Sequence, residues 1–251
     1  MNKIVLITGA TSGFGEATAR KFAAGGDKLI ITGRRKDRLE SLKKELGTEV
    51  LTLSFDVQDK GAVFAAIDSL PKEWRDIDIL INNAGLALGR DFFNEANLDD
   101  WETMLDTNVK GLLYVSKTVA PLMVARQTGH IINLGSIAGK EVYEKGNVYC
   151  ASKYAVDAIS KAMRIDLLQH RIKVTAIHPG AADTEFSKVR FKGDMTQAQK
   201  IYEGYTPLSA EDVADTIYYC AGTPAHVCIN EVNITCLAQA NSFYYNKSGN
   251  A

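Results

Sequence analysis

No part of this 251-residue chain is rich in one charge, in cysteine, or in unbroken apolar residues. The formal net charge is −1, which gives no ground for a nucleic-acid or membrane-surface partner. No apolar run approaches the roughly 20 residues needed to span a bilayer. The opening Met1-Asn2-Lys3-Ile4-Val5-Leu6-Ile7 is too short for a signal peptide and runs straight into a glycine motif. The four cysteines, Cys150, Cys220, Cys228 and Cys236, include no Cys-x-x-Cys pair. With four scattered histidines they give no metal-ligand spacing, so no metal is expected. Reduced thiols in a cytoplasmic protein are the simplest reading. No repeat and no linker rich in Pro, Gly or Ser divides the chain, so one domain over residues 1–251 is expected.

What is present is enough for a substantial core, with 46% hydrophobic and 24% charged residues. Apolar runs near 3–8, 28–32, 49–55, 78–82, 130–135, 173–178 and 231–234 read as strands. Helix-length amphipathic stretches fall near 13–24, 36–46, 60–69, 98–126, 148–168 and 210–221. Runs such as Ile79-Leu80-Ile81 suit strands buried on both faces. The alternation predicts an α/β fold: a doubly wound parallel sheet of about seven strands with helices on both faces. The stretch 180–205 looks irregular and is long enough to be a substrate loop. A tail from about 238 to 251 carries no motif.

The first strand ends in Thr8-Gly9-Ala10-Thr11-Ser12-Gly13-Phe14-Gly15. A glycine turn between strand and helix lets backbone N–H groups and a helix N-terminus face a pyrophosphate. No Gly-Lys-Ser/Thr follows, so this is not a P-loop. An NAD site usually carries an acid at the end of the second strand to hold the ribose 2′-OH. Here that place reads Thr32-Gly33-Arg34-Arg35, and two guanidiniums can clamp a 2′-phosphate. Cations at a helix N-terminus oppose the helix dipole, so an anion is expected to offset them. NADP(H) is favoured over NAD(H).

Tyr149 and Lys153 are four residues apart, on one face of a helix. An ammonium beside a phenol is expected to lower the phenol's pKa from about 10, fitting it to exchange a proton with an alcohol. Ser136 lies just past the fifth strand, at the edge where open α/β sheets bind ligands. Taken alone it reads as a capping or loop serine; only its pairing with Tyr149 makes it a residue that can hold the substrate oxygen. Asn108 sits inside a predicted helix, where Asn is a poor former.

Taken in order, these residues resemble the short-chain dehydrogenase/reductase family. The resemblance covers nearly the whole chain. It rests on Thr8–Gly15, Asp56-Val57, Asn82-Asn83-Ala84-Gly85, Asn108, Ser136, Tyr149-x-x-x-Lys153 and Pro179-Gly180. It implies that Gly9, Thr11, Ser12, Gly13, Phe14 and Gly15 cradle the dinucleotide and that Asp56 and Val57 touch its adenine. Asn83, Ala84 and Gly85 would line its ribose, and Thr184, past the Pro179-Gly180 turn, would contact the nicotinamide carboxamide. Lys153 would also hold the nicotinamide ribose, and Asn108 would hold a water for proton relay. A homotetramer is implied as well. The segments 11–16, 33–35, 84–89 and 184–194 are similar to NADP-dependent 3-hydroxy acid dehydrogenases acting on serine, allo-threonine or 3-hydroxypropionate, with sulfoacetaldehyde reductases close by.

A small anionic hydroxy acid or aldehyde needs a cation, and Arg190 in the long loop is the candidate anchor. Lys188 and Lys192 flank it, so a surface arginine is the bland alternative. A non-enzymatic NADP-binding regulator tends to lose the tyrosine or lysine, and both are kept here. A sugar epimerase of the extended type would need far more than the roughly 70 residues that follow Pro179.

Overall fold

A computed structural model describes residues 2–247; the end of the predicted tail, 248–251, lies outside the described residues. The apolar runs form β1 (Ile4–Ile7), β2 (Lys28–Gly33), β3 (Val50–Ser54), β4 (Ile79–Asn82), β5 (Gly129–Leu134), β6 (Ile172–Pro179) and β7 (Glu231–Ile234). All pair in parallel in the order β3-β2-β1-β4-β5-β6-β7. The order reverses between β1 and β4, which opens a crevice beyond their C-terminal ends.

Side chains alternate between the two faces of the sheet. Val5 and Ile7 enter a core layer with Phe22, Leu39 and Ile217. Leu6 and Ile30 enter the opposite layer with Val63, Ile67 and Met123. Each such fully buried side chain contributes about 1.5–3 kcal/mol. The first layer is covered by α1 (Gly13–Ala24), α2 (Lys36–Glu45) and, late in the chain, the helix Ala210–Ala221. The second is covered by α3 (Lys60–Asp68) and the helices after β4. Asp59 caps α3 by accepting from the Ala62 N–H at 3.0 Å.

Two expectations change. The single helix expected over 98–126 is three pieces: α4 (Leu98–Leu105), a π-helical turn (Asp106–Gly111) and α5 (Leu112–Arg126). The turn falls on Asn108, whose side chain bonds the Leu86 backbone in both directions, and on Gly111, where a Cβ would lie 2.8 Å from Val57 Cγ2. The segment 180–205 is not simply irregular. After α6 (Asn147–Asp166) and β6, it holds α7 (Glu185–Arg190) and α8 (Met195–Lys200), before α9 (Ala210–Ala221). Thr184 caps α7 by accepting from the Phe186 N–H at 3.2 Å. Ser209 and Asp212 form a capping box on α9.

Candidate active site

The turn after β1 needs its glycines. Gly9 and Gly13 adopt φ of +67° and +53°, the left-handed region. A Cβ on Gly15 would lie 2.3 Å from the Gly9 carbonyl oxygen and 2.4 Å from Asn83 Nδ2. Its absence is what lets α1 pack tightly on the strand ends and present its N-terminus. Thr8 Oγ1 accepts from the Asn83 and Ala84 N–H groups, both at 3.0 Å. Asn83 Nδ2 donates back to the Thr8 oxygen at 2.8 Å, so the loops after β1 and β4 are tied together. They enclose a cavity of about 300 Å³. Of the predicted cofactor residues, Gly9, Thr11, Ser12, Gly13, Phe14, Arg34, Arg35, Asp56, Val57, Asn83, Ala84, Gly85, Tyr149, Lys153 and Thr184 line it. Pro179 and Gly180 line the neighbouring larger cavity, and Gly15 lies under the loop.

The two arginines differ. Arg34 is 63% exposed and reaches Asp56 Oδ2 only at 3.4 Å. Arg35 donates from Nε and Nη2 to Thr11 Oγ1 at 3.1 and 2.8 Å, and from Nη2 to Ser12 Oγ at 2.9 Å. Its Nη1 donates to Glu185 Oε2 at 3.1 Å, while Arg38 donates to Glu185 Oε1 at 2.8 Å. The anion called for at the start of α2 is thus supplied in part by Glu185, distant in sequence. Burial would raise the Glu185 carboxyl, but its bonds to Arg38 and Arg35 prevail and hold it below the usual carboxylate range.

Beyond Tyr149 a second cavity opens, of about 630 Å³. Tyr149, Phe14, Gly135, Thr184 and Phe186 border both, so the phenol stands at the junction. Ser136, 9% exposed, lies beside the Tyr149 phenol, donates to the Pro179 carbonyl at 3.4 Å and accepts from the Ala138 N–H at 3.1 Å. Lys153, 7% exposed, donates to the Leu134 carbonyl at 2.9 Å and stands 6.0 Å from the centre of the Tyr149 ring. A Cβ on Gly85 would lie 3.2 Å from Asn108 Oδ1 and 3.6 Å from Lys153 Nζ, so both side chains face the same glycine. The four predicted catalytic side chains therefore converge.

Their electrostatics correct the expectation that Lys153 pulls the phenol pKa down. Burial pushes Tyr149 up, the Tyr143 phenol adds to this, and the Ser136 hydrogen bond and Arg190 charge only partly oppose it. Burial also lowers Lys153, to about 8. Lys153 is still an ammonium at neutral pH, 6.0 Å from the ring centre, but it does not outweigh the burial of the phenol. The structure holds a neutral phenol beside an ammonium that loses its proton easily.

Arg190 lies at the site rather than on the surface. It is 9% exposed, and its guanidinium carbon stands 5.5 Å from the centre of the Tyr149 ring. Nη1 donates to the Tyr143 hydroxyl at 2.9 Å and Nε to the Gly89 carbonyl at 3.3 Å. Among the described residues it pairs with no carboxylate. Sequence reasoning missed Tyr143, Phe186, Glu185 and the tail residues Gln239 and Tyr245. Gln239, 3% exposed, accepts from the Ala181 N–H at 2.8 Å and donates to the Tyr245 hydroxyl at 2.7 Å, walling the larger cavity. Glu185 and Phe186 lie in the segment 184–194 already singled out, directly after Thr184; Tyr143, Gln239 and Tyr245 lie in no local pattern that could have announced them.

A separate polar cluster sits behind Ser136. His178 Nδ1 donates to the Ser136 carbonyl at 3.2 Å, and Asp157 and Glu231 gather beside the ring. Geometry alone would let these three hold a metal, a grouping that cysteine and histidine spacing did not foretell. Lys140 Nζ bridges the two carboxylates at 2.7 and 2.8 Å, so a cation already stands there. No described helix is long and apolar enough to cross a membrane.

A family model described as short chain dehydrogenase matches residues 3–194. An NADP-dependent 3-hydroxy acid dehydrogenase of Salmonella typhimurium is 51% identical over 238 residues, 94% of this chain and 96% of that protein. Sulfoacetaldehyde reductase 2 of Chromohalobacter salexigens is 46% identical over 247 residues, 97% and 98% of the two chains. The closed form of a serine dehydrogenase complexed with NADP+ superposes with a TM-score of 0.93 at 48% identity, covering 95% of this chain and 97% of that one. On the matched model, these identities and the convergent Ser136, Tyr149 and Lys153, the chain belongs to the short-chain dehydrogenase family.

Proposed function

We propose that the protein is an NADP(H)-dependent oxidoreductase that interconverts small 3-hydroxy acids and their oxo forms. The observation that carries the substrate class is Arg190: a buried guanidinium without a carboxylate partner among the described residues, beside Tyr149 in the larger cavity. A buried charge needs compensation, and a bound carboxylate supplies it. Similarity to a 3-hydroxy acid dehydrogenase and a serine dehydrogenase supports the same reading.

The smaller cavity fits the cofactor. Its glycines leave a cradle that Cβ atoms would fill, and Arg34 and Arg35 stand at one end. The Asp56 carboxylate and Val57, with Asn83, Ala84 and Gly85, would hold the adenosine and ribose portions, and Thr184 the nicotinamide end. When bound, NADP(H) supplies or accepts the hydride. Ser136 holds the substrate oxygen by hydrogen bonding, and Tyr149 gives that oxygen a proton or takes one from it. Lys153 orients the ribose and, with Asn108 and the backbone of the π-helical turn, passes the proton toward solvent. Arg190, aided by the Tyr143 hydroxyl, fixes the acid group and so the orientation of the reacting carbon.

A second reading, reduction of sulfoacetaldehyde, draws on the same guanidinium, which accepts a sulfonate as well as a carboxylate, and on the 46% identity to a sulfoacetaldehyde reductase. A homotetramer is also proposed. Leu105 and Leu113, 39% and 40% exposed, leave apolar surface on α4 and α5, while Leu112 and Val115 turn into the core. The deciding experiment compares kcat/KM for malonic semialdehyde, sulfoacetaldehyde, succinic semialdehyde, L-serine, L-allo-threonine, 3-hydroxypropionate and an uncharged alcohol, in wild type and Arg190→Ala. Loss of a charge-assisted contact should lower the acidic substrates about 10- to 100-fold and spare the alcohol. Equal losses on both would remove the anchor.

A further inference from the structure

Glu185 reaches the dinucleotide site from the far side of the chain. It opens α7, yet its carboxylate bonds Arg35 Nη1 at 3.1 Å and Arg38 Nη1 at 2.8 Å. It shares the wall of the smaller cavity with Arg34, Arg35, Thr11 and Ser12. The remaining bonded donors of Arg35, Nε and Nη2, are spent on Thr11 and Ser12. A guanidinium offers a carboxylate and a phosphate the same donors. A phosphate monoester carries nearly two negative charges near neutral pH and repels a carboxylate held at the same guanidinium.

We propose that Glu185 is a specificity-determining residue for the cofactor: its carboxylate occupies Arg35 and Arg38 until a 2′-phosphate takes Arg35 from it. This rests on the NADP(H) reading above. Glu185 keeps the two basic side chains paired in the empty site and sets a cost that every 2′-phosphate must overcome. A cofactor without that phosphate leaves the carboxylate in place. The consequence reaches the other end of α7. Phe186 packs on the Tyr149 ring with centroids 5.7 Å apart, and Arg190 ends the helix against the same ring. The six-residue helix therefore joins the phosphate end of one cavity to the anion anchor of the other.

The test uses 2′,5′-ADP and 5′-ADP as probes, which differ in the 2′-phosphate and carry no nicotinamide, so binding is read without turnover. Calorimetry on the full chain compares wild type with Glu185→Gln and Glu185→Asp. Glu185→Gln should bind 2′,5′-ADP about threefold tighter, the scale of giving up one half-exposed ion pair. Its affinity for 5′-ADP should not change, and Glu185→Asp, which keeps the charge, should tighten clearly less. Unchanged or weaker binding of 2′,5′-ADP in Glu185→Gln overturns the inference. So does equal tightening of both probes, or a Glu185→Asp effect as large as that of Gln. A wild type that shows no preference for 2′,5′-ADP over 5′-ADP removes the cofactor reading itself, and the inference with it.

Discussion

Lys153→Met should make the cofactor-free protein more stable at neutral pH while abolishing its chemistry. Lys153 is 7% exposed, and its pKa falls to about 8 through burial. A fall from an ordinary value near 10.4 to about 8 is worth about 3 kcal/mol. The sign follows from proton counting. Below pH 8 the group is charged in both states, and the folded protein bears the full cost. Between about 8 and 10.4 the unfolded chain keeps a proton that the folded protein has released, so stability rises with pH. Above that window the cost is gone.

Methionine fills a similar space without the charge, but it loses the bond to the Leu134 carbonyl, about 1 kcal/mol. The net gain is about 2 kcal/mol at pH 7, shrinking to nothing or a small loss by about pH 10.5. With a urea slope of about 3 kcal/mol/M, the midpoint should rise by about 0.7 M at pH 7. Urea titrations of both proteins at pH 7 and pH 10 measure this, and groups common to both cancel in the difference. A variant less stable than wild type at pH 7 would refute the reasoning, as would a gain that does not shrink with pH. The outcome expected is a trade of stability for function at one buried side chain.

Tyr149→Phe removes the proton donor while keeping the ring packed on Phe186. It should bind NADPH as wild type does, measured by fluorescence titration, and lose at least about 100-fold in kcat. Retained turnover would sink the assigned role. Replacing Arg34 and Arg35 together with Ala should raise the NADPH Kd by about two orders of magnitude through two charge-assisted contacts, with far less effect on NADH. Similar losses for both cofactors would point to a damaged loop. Gly15→Ala places a methyl 2.3 Å from the Gly9 carbonyl oxygen. Backbone must shift there, so nucleotide affinity should fall together with stability by about 1–3 kcal/mol, read from thermal unfolding with and without NADPH.

The sheet and its main helices were legible because their signals are long and local. An apolar run such as Ile79-Leu80-Ile81 states a buried strand, and Gly9, Gly13 and Gly15 state a tight turn into a helix. The α7 and α8 segments, six residues each, are too short for helical periodicity to show, which is why 180–205 read as loop. The π-helical turn hid inside an otherwise continuous amphipathic pattern, marked only by a misplaced Asn108. Spacing put Tyr149 and Lys153 on one face, but spacing carries no burial. The expected fall in the Tyr149 pKa was wrong because both groups turn out to be desolvated. Tyr143 and Gln239 join the site through tertiary contact alone, and nothing within a few residues of them announces it, whereas Glu185 adjoins the predicted Thr184 but owes its arginine partners to tertiary contact.

The raised Tyr149 pKa bears on the direction in which the site is ready to work. Reduction of a carbonyl requires a neutral phenol that can give its proton, and burial holds Tyr149 in that form. Two influences favour the ionised form, the Ser136 hydrogen bond and the Arg190 charge. On the proposed reading, an anionic substrate bound to Arg190 cancels the second of these. That cancellation would raise the phenol further, although a phenol already above its ordinary value near 10 is neutral at pH 7 with either kind of substrate. Oxidation of a hydroxy acid asks the reverse, a phenol that has already lost its proton, and must proceed against burial until pH rises. The same buried arginine would then select the acid without changing the protonation state of Tyr149 at neutral pH. One guanidinium bears on both the acid group and the phenol, because Arg190 stands 5.5 Å from the centre of the Tyr149 ring.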